Sequence, residues 1–475
     1  MRAIVDDLIV RVPDGLIQGD IDGHPYLFNP RGHYGVVPLS QEAYAVYTSC
    51  SKGVSISDMR RLFPWAKEAT WQLIDLLTSL ATYGILDLGK EFSEYLIAQR
   101  TKTKKREMSV WLQITDSCNL RCSYCFIAQK PTHMHIETAK TLIAKIAKES
   151  YDAGYDSVVF KFAGGEPTIR WGTIKELIDW AQASLHAGPP HVRFSMLTNG
   201  TMLPPDLVEY AASGRIGISI SLDGIEQWHD KQRFYHCGRG SFRDIDQNID
   251  LLLRRGVRPS LSATITSENV KGLTELAEYC VHRDLRFRLS PYRRPLLSLA
   301  DQKSENAELI YELKRCYEWL EDHLPSRSLY EVHQFGDISL KTPKVRVCGI
   351  GTNTLVFSSD GRLSLCPFDL ENPVGNGLEN NAIELLRSQK AFSPDDNRVD
   401  LIPVCQDCQW RFTCAGGCPN LTRNQYGVFH HTSPYCEVYQ AILPVLVRLY
   451  AVQLLRAGYP LRHRDLTPDS VQFGV

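Results

Sequence analysis

The spacing of apolar residues changes along the chain, and each change marks a different kind of element. Residues 1–95 open with short β-prone runs, Leu8-Ile9-Val10 and Tyr26-Leu27-Phe28, with Gly and Pro between them. Helical stretches follow over 42–50, 55–63 and 69–83. In the last of these, Trp71, Leu73, Leu76, Leu77 and Leu80 recur at helical spacing. Short strands followed by about three helices predict a winged-helix-like module. Residues 96–108 break the pattern. Arg100, Lys102, Lys104, Lys105 and Arg106 lie there without interleaved aromatics, which reads as a solvated linker.

From 109 to 295 strand-like and helix-like segments alternate. The strands are expected at 110–115, 157–162, 194–198, 216–222, 261–265 and 285–289, and the intervening helices include 137–149, 173–184 and 244–254. Repeated βα units imply an α/β fold with a parallel sheet and right-handed crossovers. Six strands are too few to close an eight-strand barrel, so a partial (β/α)6 barrel is expected. Residues 296–344 read as a connector with one amphipathic helix near 306–320. Residues 345–440 are rich in Cys and Gly and short of long periodic runs, a composition that takes its shape from metal ligation more than from a large core. Residues 441–475 carry a C-terminal helix, beginning near 437, and a tail.

Composition sharpens this picture in two ways. Lys and Arg number 53 and Asp and Glu 54, giving a net charge of −1, so neither nucleic acid nor a membrane surface is expected as a partner held by bulk charge. No uninterrupted apolar run reaches the ~18 residues of a spanning segment. Asp6 and Asp7 lie where a signal peptide has its apolar stretch, so a cytoplasmic location is expected. Fourteen cysteines are many for a cytoplasmic enzyme and sparse for a disulfide scaffold. In a reducing compartment such clusters are more often metal ligands.

The first cluster, Cys118-Asn-Leu-Arg-Cys122-Ser-Tyr-Cys125, follows the first expected strand of the α/β region. In a βα architecture that is the loop at the C-terminal rim, where chemistry is placed. Three thiolates can hold three corners of an iron–sulfur cubane, which normally takes four, and so leave one iron open to a ligand. Zinc sites favour paired cysteines and fit this triple poorly.

With Tyr124 before its third cysteine, the triple resembles the signature of the radical S-adenosylmethionine (SAM) superfamily. Further matches follow in order at strand ends: Gly164-Gly165-Glu166-Pro167, Thr198-Asn199-Gly200-Thr201 and Ser221-Leu222-Asp223-Gly224, with Arg233 twelve residues after Ser221. The resemblance implies that the Gly164–Pro167 loop holds the SAM amino group, Glu166 supplying charge and the glycines close backbone approach. It places Ser221 on the ribose, Arg233 on the SAM carboxylate and Leu289 near adenine, with Tyr124, Thr198 and Asn199 alongside. The implied chemistry is reductive cleavage of SAM to a 5′-deoxyadenosyl radical that takes a hydrogen atom from substrate. An electron donor, whether a flavodoxin, a ferredoxin or a reductase, is implied as a partner.

The second cluster runs Cys348-x12-Gly361-x4-Cys366, then Cys405-x2-Cys408-x5-Cys414-x3-Cys418, then Cys436. On spacing alone, one or two structural zinc sites also fit. The whole pattern resembles the SPASM extension of radical SAM enzymes, which implies two auxiliary [4Fe-4S] clusters and three in all. Cys405, Cys408, Cys414 and Cys436 would hold the outer one, and Cys348, Cys366 and Cys418 the inner one. The inner set lacks the extra cysteine some relatives carry shortly after the first, which implies either an open iron that could take a substrate thiolate or a ligand from elsewhere. Cys50, Cys237, Cys280 and Cys316 read as ordinary buried small residues, Cys237 lying nearest the SAM motifs.

The resemblance covers roughly residues 109–440. The N-terminal module is similar, over about 25–95, to the PqqD-like peptide-recognition domain. Together they imply a maturase that crosslinks a peptide or small protein, bound through a leader segment by strand addition, with a thioether favoured over a carbon–carbon or ether bond. Asp223, Asp230 and Asp369 are the candidate bases. Formylglycine formation as in sulfatase maturation is an alternative, although Pro367 stands where those enzymes carry an aspartate after the cysteine matching Cys366. Peptide epimerisation and a non-catalytic iron–sulfur or zinc scaffold are the others.

Overall fold

The computed structural model describes residues 8–31, 35–89, 106–185, 190–293, 299–324, 334–341, 343–388 and 398–458. The linker expected at 96–108 therefore lies mostly outside the described residues.

The N-terminal segment contains β1 (Ile9–Val10), β2 (Ile17–Ile21), β3 (His24–Phe28), β4 (Val37–Pro38) and β5 (Val54–Ser55). β2, β3 and β4 form an antiparallel sheet, while β1 pairs with β5. Helices α1 (Gln41–Ser49), α2 (Ile56–Leu62) and α3 (Thr70–Thr82) pack beside them. Serines begin the first two: Ser40 Oγ accepts from Ala43 N at 3.1 Å and Ser55 Oγ from Asp58 N at 3.1 Å, each satisfying an amide that the helix leaves unpaired. Leu73, Leu76, Leu77 and Leu80 face a small core of their own with Leu27, Val46 and Met59.

All six strands expected between 109 and 295 are present: β6 (Glu107–Thr115), β7 (Ser157–Gly164), β8 (His191–Thr198), β9 (Gly217–Ser221), β10 (Ser260–Ile265) and β11 (Phe287–Pro291). Helices alternate with them, namely α4 (Ile136–Asp152), α5 (Trp171–Ser184), α6 (Pro205–Ala212), α7 (Phe242–Arg254) and α8 (Leu273–His282). β11 begins two residues later than expected because Asp284 takes a positive φ (55°) and Leu285 N closes back on Cys280 O, ending α8 there. The strands pair in parallel and in sequence, β6 to β11, with a helical crossover between successive strands.

The sheet extends beyond the expected six strands. β12 (Gln334–Phe335) adds a parallel edge beside β11. At the other end β13 (Thr354–Phe357), from the Cys-rich segment, pairs in parallel with β6, and the antiparallel β14 (Arg362–Ser364) and β15 (Gly375–Asn376) follow it. Leu355, Val356 and Phe357 of β13 are completely buried. The Cys-rich segment thus contributes to the main core, besides whatever its cysteines bind.

Two long helices close the fold. α9 (Leu299–His323) spans the expected connector helix and more, and α11 (Cys436–Arg456) packs against it; a shorter helix, α10 (Pro419–Tyr426), precedes α11. α11 corrects the expectation that nothing reaches membrane-spanning length. By length and mean hydropathy it qualifies, although polar residues interrupt its run, and 67% of the qualifying window is buried inside the protein. Arg448 in α11 pairs with Glu321 of α9 at 2.7 Å and donates to Asp20 O at 3.1 Å, fastening the N-terminal sheet to this helix pair.

Candidate active site

One face of the curved sheet packs against helices, and the other opens on a cavity of about 290 Å³. Alternation along the strands decides which side chains reach it: Trp111, Ala163, Leu197, Ser221, Ser262 and Arg288 do, while Leu112, Phe162, Met196, Ile220, Leu261 and Leu289 fill the core. Cys118, Cys122 and Cys125 line its rim.

The cysteine loop is held by backbone. Gly165 N donates to Thr115 O at 2.7 Å and Glu166 N to Ser117 O at 2.8 Å. A Cβ on Gly164 would lie 2.1 Å from Thr115 O, and one on Gly165 2.2 Å from Ser117 O. The glycine pair therefore serves first to let the end of β7 press against the loop that carries Cys118, even though both glycines also line the cavity.

Glu166 departs from the expected role. It is wholly buried and does not line the cavity. Its Oε1 accepts from Thr168 N (3.0 Å), Thr168 Oγ1 (2.6 Å) and Thr198 Oγ1 (2.7 Å), and its Oε2 from Asn199 N (2.6 Å). Burial raises its pKa against these four donors. The carboxylate ties the end of β7 to the end of β8. Asn199 passes this order on, since its Nδ2 reaches Asn119 Oδ1 at 2.8 Å and Cys118 Sγ at 3.8 Å.

Asp223 also belongs to the framework. Its Oδ2 accepts from Arg233 Nε (2.7 Å), Gln232 Nε2 (2.8 Å) and the Tyr124 hydroxyl, and its Oδ1 from Thr264 N (2.9 Å). Burial alone would raise this carboxyl, but Arg233 and the hydrogen bonds hold it below the usual range. An anion so fully engaged is a poor proton acceptor. What it does is aim Arg233, whose Nη1 lies 3.9 Å from Cys122 Sγ and whose guanidinium sits over the Tyr124 ring. Behind it, His229 Nδ1 accepts from Asp223 N at 3.2 Å while Nε2 meets Ser241 Oγ at 3.0 Å; burial pushes the imidazole pKa down to about 3.

The other expected bases lie elsewhere too. Asp230 Oδ1 accepts from Phe242 N at 2.9 Å at the start of α7, and Asp369 pairs with Arg423 at 3.0 Å. Neither lines the cavity. Leu289 is buried in the core, because the strand alternation sends Arg288 and Ser290 inward instead. Among the described residues, Tyr124, Thr198, Asn199, Ser221 and Arg233 do line the cavity. Pro167 is buried at the start of a short helical turn and does not line the cavity, whereas Gly164 and Gly165 of the same motif do.

Apart from Pro367, the remaining wall comes from residues that the motifs did not single out. Tyr292 and Arg293 follow β11, and Pro367 and Phe368 follow Cys366. Phe126 and Phe368 meet with ring centroids 4.5 Å apart. Arg293 pairs with Asp337 at 2.7 Å, and Asp337 also accepts from the Tyr439 hydroxyl at 2.8 Å. The alternation Phe287, Arg288, Leu289, Ser290 was the signal for an inward-facing arginine.

The seven later cysteines form two groups in mutual electrostatic contact: Cys348 with Cys366 and Cys418, and Cys405 with Cys408, Cys414 and Cys436. Burial raises most of the thiols in the three groups, Cys118, Cys366 and Cys414 to about 12, so a metal that binds them must displace protons. Among the described residues no three Cys, His, Asp or Glu side chains converge tightly enough to hold a single ion. Of the other cysteines, Cys50, Cys280 and Cys316 are buried as expected, but Cys237 is exposed, in the turn closed by Gly238 N on Tyr235 O.

Comparison with known proteins gives this geometry a context. Residues 112–280 match the Radical SAM superfamily model. The chain is 25% identical over 344 residues to a cysteine-type anaerobic sulfatase-maturating enzyme of Clostridium novyi, covering 69% of this chain and 91% of that protein. It is 22% identical over 367 residues to a serine-type anaerobic sulfatase-maturating enzyme of Bacteroides thetaiotaomicron, covering 67% and 88%. The fold is similar to that of native anSMEcpe with bound AdoMet and Cp18Cys peptide, at a TM-score of 0.60 and 20% identity over 73% of this chain and 99% of that one. Radical SAM chemistry implies a [4Fe-4S] cluster and SAM, and a rim of three thiols beside an arginine and a polar wall fits both. The chain carries a radical SAM domain over residues 112–280 and is a radical SAM enzyme.

Proposed function

We propose that this enzyme is a peptide or small-protein maturase that forms an intramolecular crosslink, favouring a thioether from a substrate cysteine. The observation that carries the proposal is the shared wall. Pro367 and Phe368, directly after Cys366, line the same cavity as Cys118, Cys122 and Cys125. A substrate carbon placed there lies between the cysteine triple and the inner group. With three cysteines, that inner group leaves a position for a substrate thiolate. In this reading the curved sheet is a partial (β/α)6 barrel, and the Cys-rich segment is a SPASM domain with two auxiliary clusters. The N-terminal module is a winged-helix-like leader-binding domain of the PqqD-like type.

When bound, the cluster and SAM supply reductive sulfonium cleavage and hydrogen-atom abstraction. The protein's own residues do the positioning. Cys118, Cys122 and Cys125 would hold the cluster. Arg233, fixed by Asp223, would meet the SAM carboxylate, and Ser221 and Asn199 would add polar contacts. The Phe126–Phe368 pair and Tyr292 screen the site from water.

The sulfatase-maturating relatives support a second reading, formylglycine formation in a protein substrate. Against it stand Pro367 in the position those enzymes give to an aspartate, and Asp369 paired with Arg423 outside the cavity. Anaerobic co-expression with a short cysteine-containing peptide, read by mass spectrometry, separates the two. Loss of two hydrogens with no free thiol supports the crosslink. Exchange of the cysteine sulfur for oxygen, with an aldehyde that hydrazide reagents trap, supports the alternative and refutes the crosslink.

A further inference from the structure

The charges around the cavity do not balance. Among the described residues that line it there is no Asp, Glu, His or Lys, but there are three arginines, Arg233, Arg288 and Arg293. Two of them have partners: Asp223 answers Arg233 and Asp337 answers Arg293. Arg288 forms no ion pair among the described residues; its Nη2 donates to the backbone oxygen of Gly336 at 2.6 Å. Asp337 does act on Arg288 electrostatically, but its two oxygens are occupied by Arg293 and Tyr439.

A second cation stands on the same face. In β7, Val158, Phe160 and Phe162 are buried against the helices, so Lys161 shares the concave side with Ala163, which lines the cavity. In register it lies beside Trp111, another lining residue. Trp111 is four residues before the end of β6, about 13 Å down the strand from where the cysteine loop begins. Lys161 also forms no ion pair among the described residues. Glu107, the carboxylate that acts on it, pairs with Arg193. Crowding by the surrounding strands lowers the pKa of Lys161, with Arg288 pushing the same way, although the side chain remains open to solvent. The surrounding strand positions are polar and small: Ser195, Gly217, Ser219, Ser221, Ser262.

Both side chains stay open to solvent on the concave side, and a cleft that carries cations without carboxylates in its lining concentrates field on an arriving anion. We propose that Arg288, in the cavity lining, and Lys161, beside the lining Trp111, form an anion subsite at the base of the cavity that takes a carboxylate of the peptide substrate. This rests on the peptide-maturase reading and adds to it a side-chain or terminal requirement. A carboxylate suits the planar guanidinium of Arg288, which can engage both oxygens, with the Lys161 ammonium as a second point charge. The location, on the floor and wall instead of beside Cys122, separates this subsite from the one Arg233 supplies for SAM.

The test uses the full chain and three isosteric probes in saturation-transfer NMR. N-acetyl-glutamate amide carries only a side-chain carboxylate, N-acetyl-glutamine only a main-chain carboxylate, and N-acetyl-glutamine amide neither. At least one acid is expected to bind tenfold or more tightly than the neutral amide, and whichever does so identifies the source of the carboxylate. The advantage is expected to vanish in the double variant R288Q/K161Q and to persist in R288K/K161R, with circular dichroism melts confirming that both variants fold. Equal binding of all three probes, or an acid preference that survives R288Q/K161Q, overturns the subsite. The co-expression experiment above judges the maturase reading separately, since these probes need no turnover.

Discussion

Replacing Glu166 by Gln tests whether this residue is a structural clasp or a ligand for the SAM ammonium. Each carboxylate oxygen receives a backbone N–H: Oε1 from Thr168 and Oε2 from Asn199. An amide nitrogen in either place sets N–H against N–H in a fully buried site. One hydrogen bond to a charged acceptor is lost, at about 1.5–3 kcal/mol, and a buried donor is stranded besides. The expected cost is about 2–4 kcal/mol. Removing only one hydroxyl donor, in T168V, should cost less, about 1.5–3 kcal/mol. At roughly 2–4 °C per kcal/mol for a domain of this size, E166Q should lower the melting midpoint by several degrees. Anaerobic circular dichroism melts of both variants, with iron content measured in parallel, give the order. Because Asn199 relays to Cys118, E166Q should also lose iron from the triple. If E166Q melts within about a degree of the parent while weakening SAM binding, the clasp argument fails and the ligand role returns.

Serine replacement of Cys118, Cys122 or Cys125 should each abolish dithionite-dependent SAM cleavage and remove about a third of the iron if three clusters are present; retained cleavage in any one would refute the site. G165A places a methyl carbon on Ser117 O and should impair cluster assembly in the triple more than it lowers overall helix content, as seen by comparing electron paramagnetic resonance with circular dichroism. F357A should cost about 3–5 kcal/mol and shift the main unfolding transition, because β13 is part of the central sheet; a separate low-temperature transition would contradict that. His229, buried and neutral with its pKa near 3, binds its proton only after unfolding near the ordinary value. Stability is therefore full above about pH 6.5 and declines by about 1.4 kcal/mol per unit as pH falls toward 3. Urea midpoints of H229Q should show a shallower decline over that window.

Features set by local sequence are legible in the residues themselves. The cysteine triple, the alternation of strands with amphipathic helices and the grouping of the later cysteines all show in spacing. Features that depend on which face a residue takes do not. Leu289 reads as a strand-end residue near the ligand, but a two-residue shift of β11 and its alternation turn Arg288 and Ser290 inward instead. Asp223 and Glu166 read as functional carboxylates, yet their partners come from residues 32 to 99 positions away as well as from near neighbours, which spacing does not reveal. β13 stays hidden because Thr354–Phe357 is four residues long and sits among cysteines and glycines.

That short strand has a further consequence. β6 presents nine residues of backbone, and without β13 its outer row of amides and carbonyls would form an open edge next to apolar side chains, a template for pairing with other chains. The partner that caps this edge is made some 240 residues later. During synthesis the nascent chain must therefore carry an uncapped sheet until residue 357 emerges, so shortened versions ending before it should aggregate, whatever cofactor they are offered.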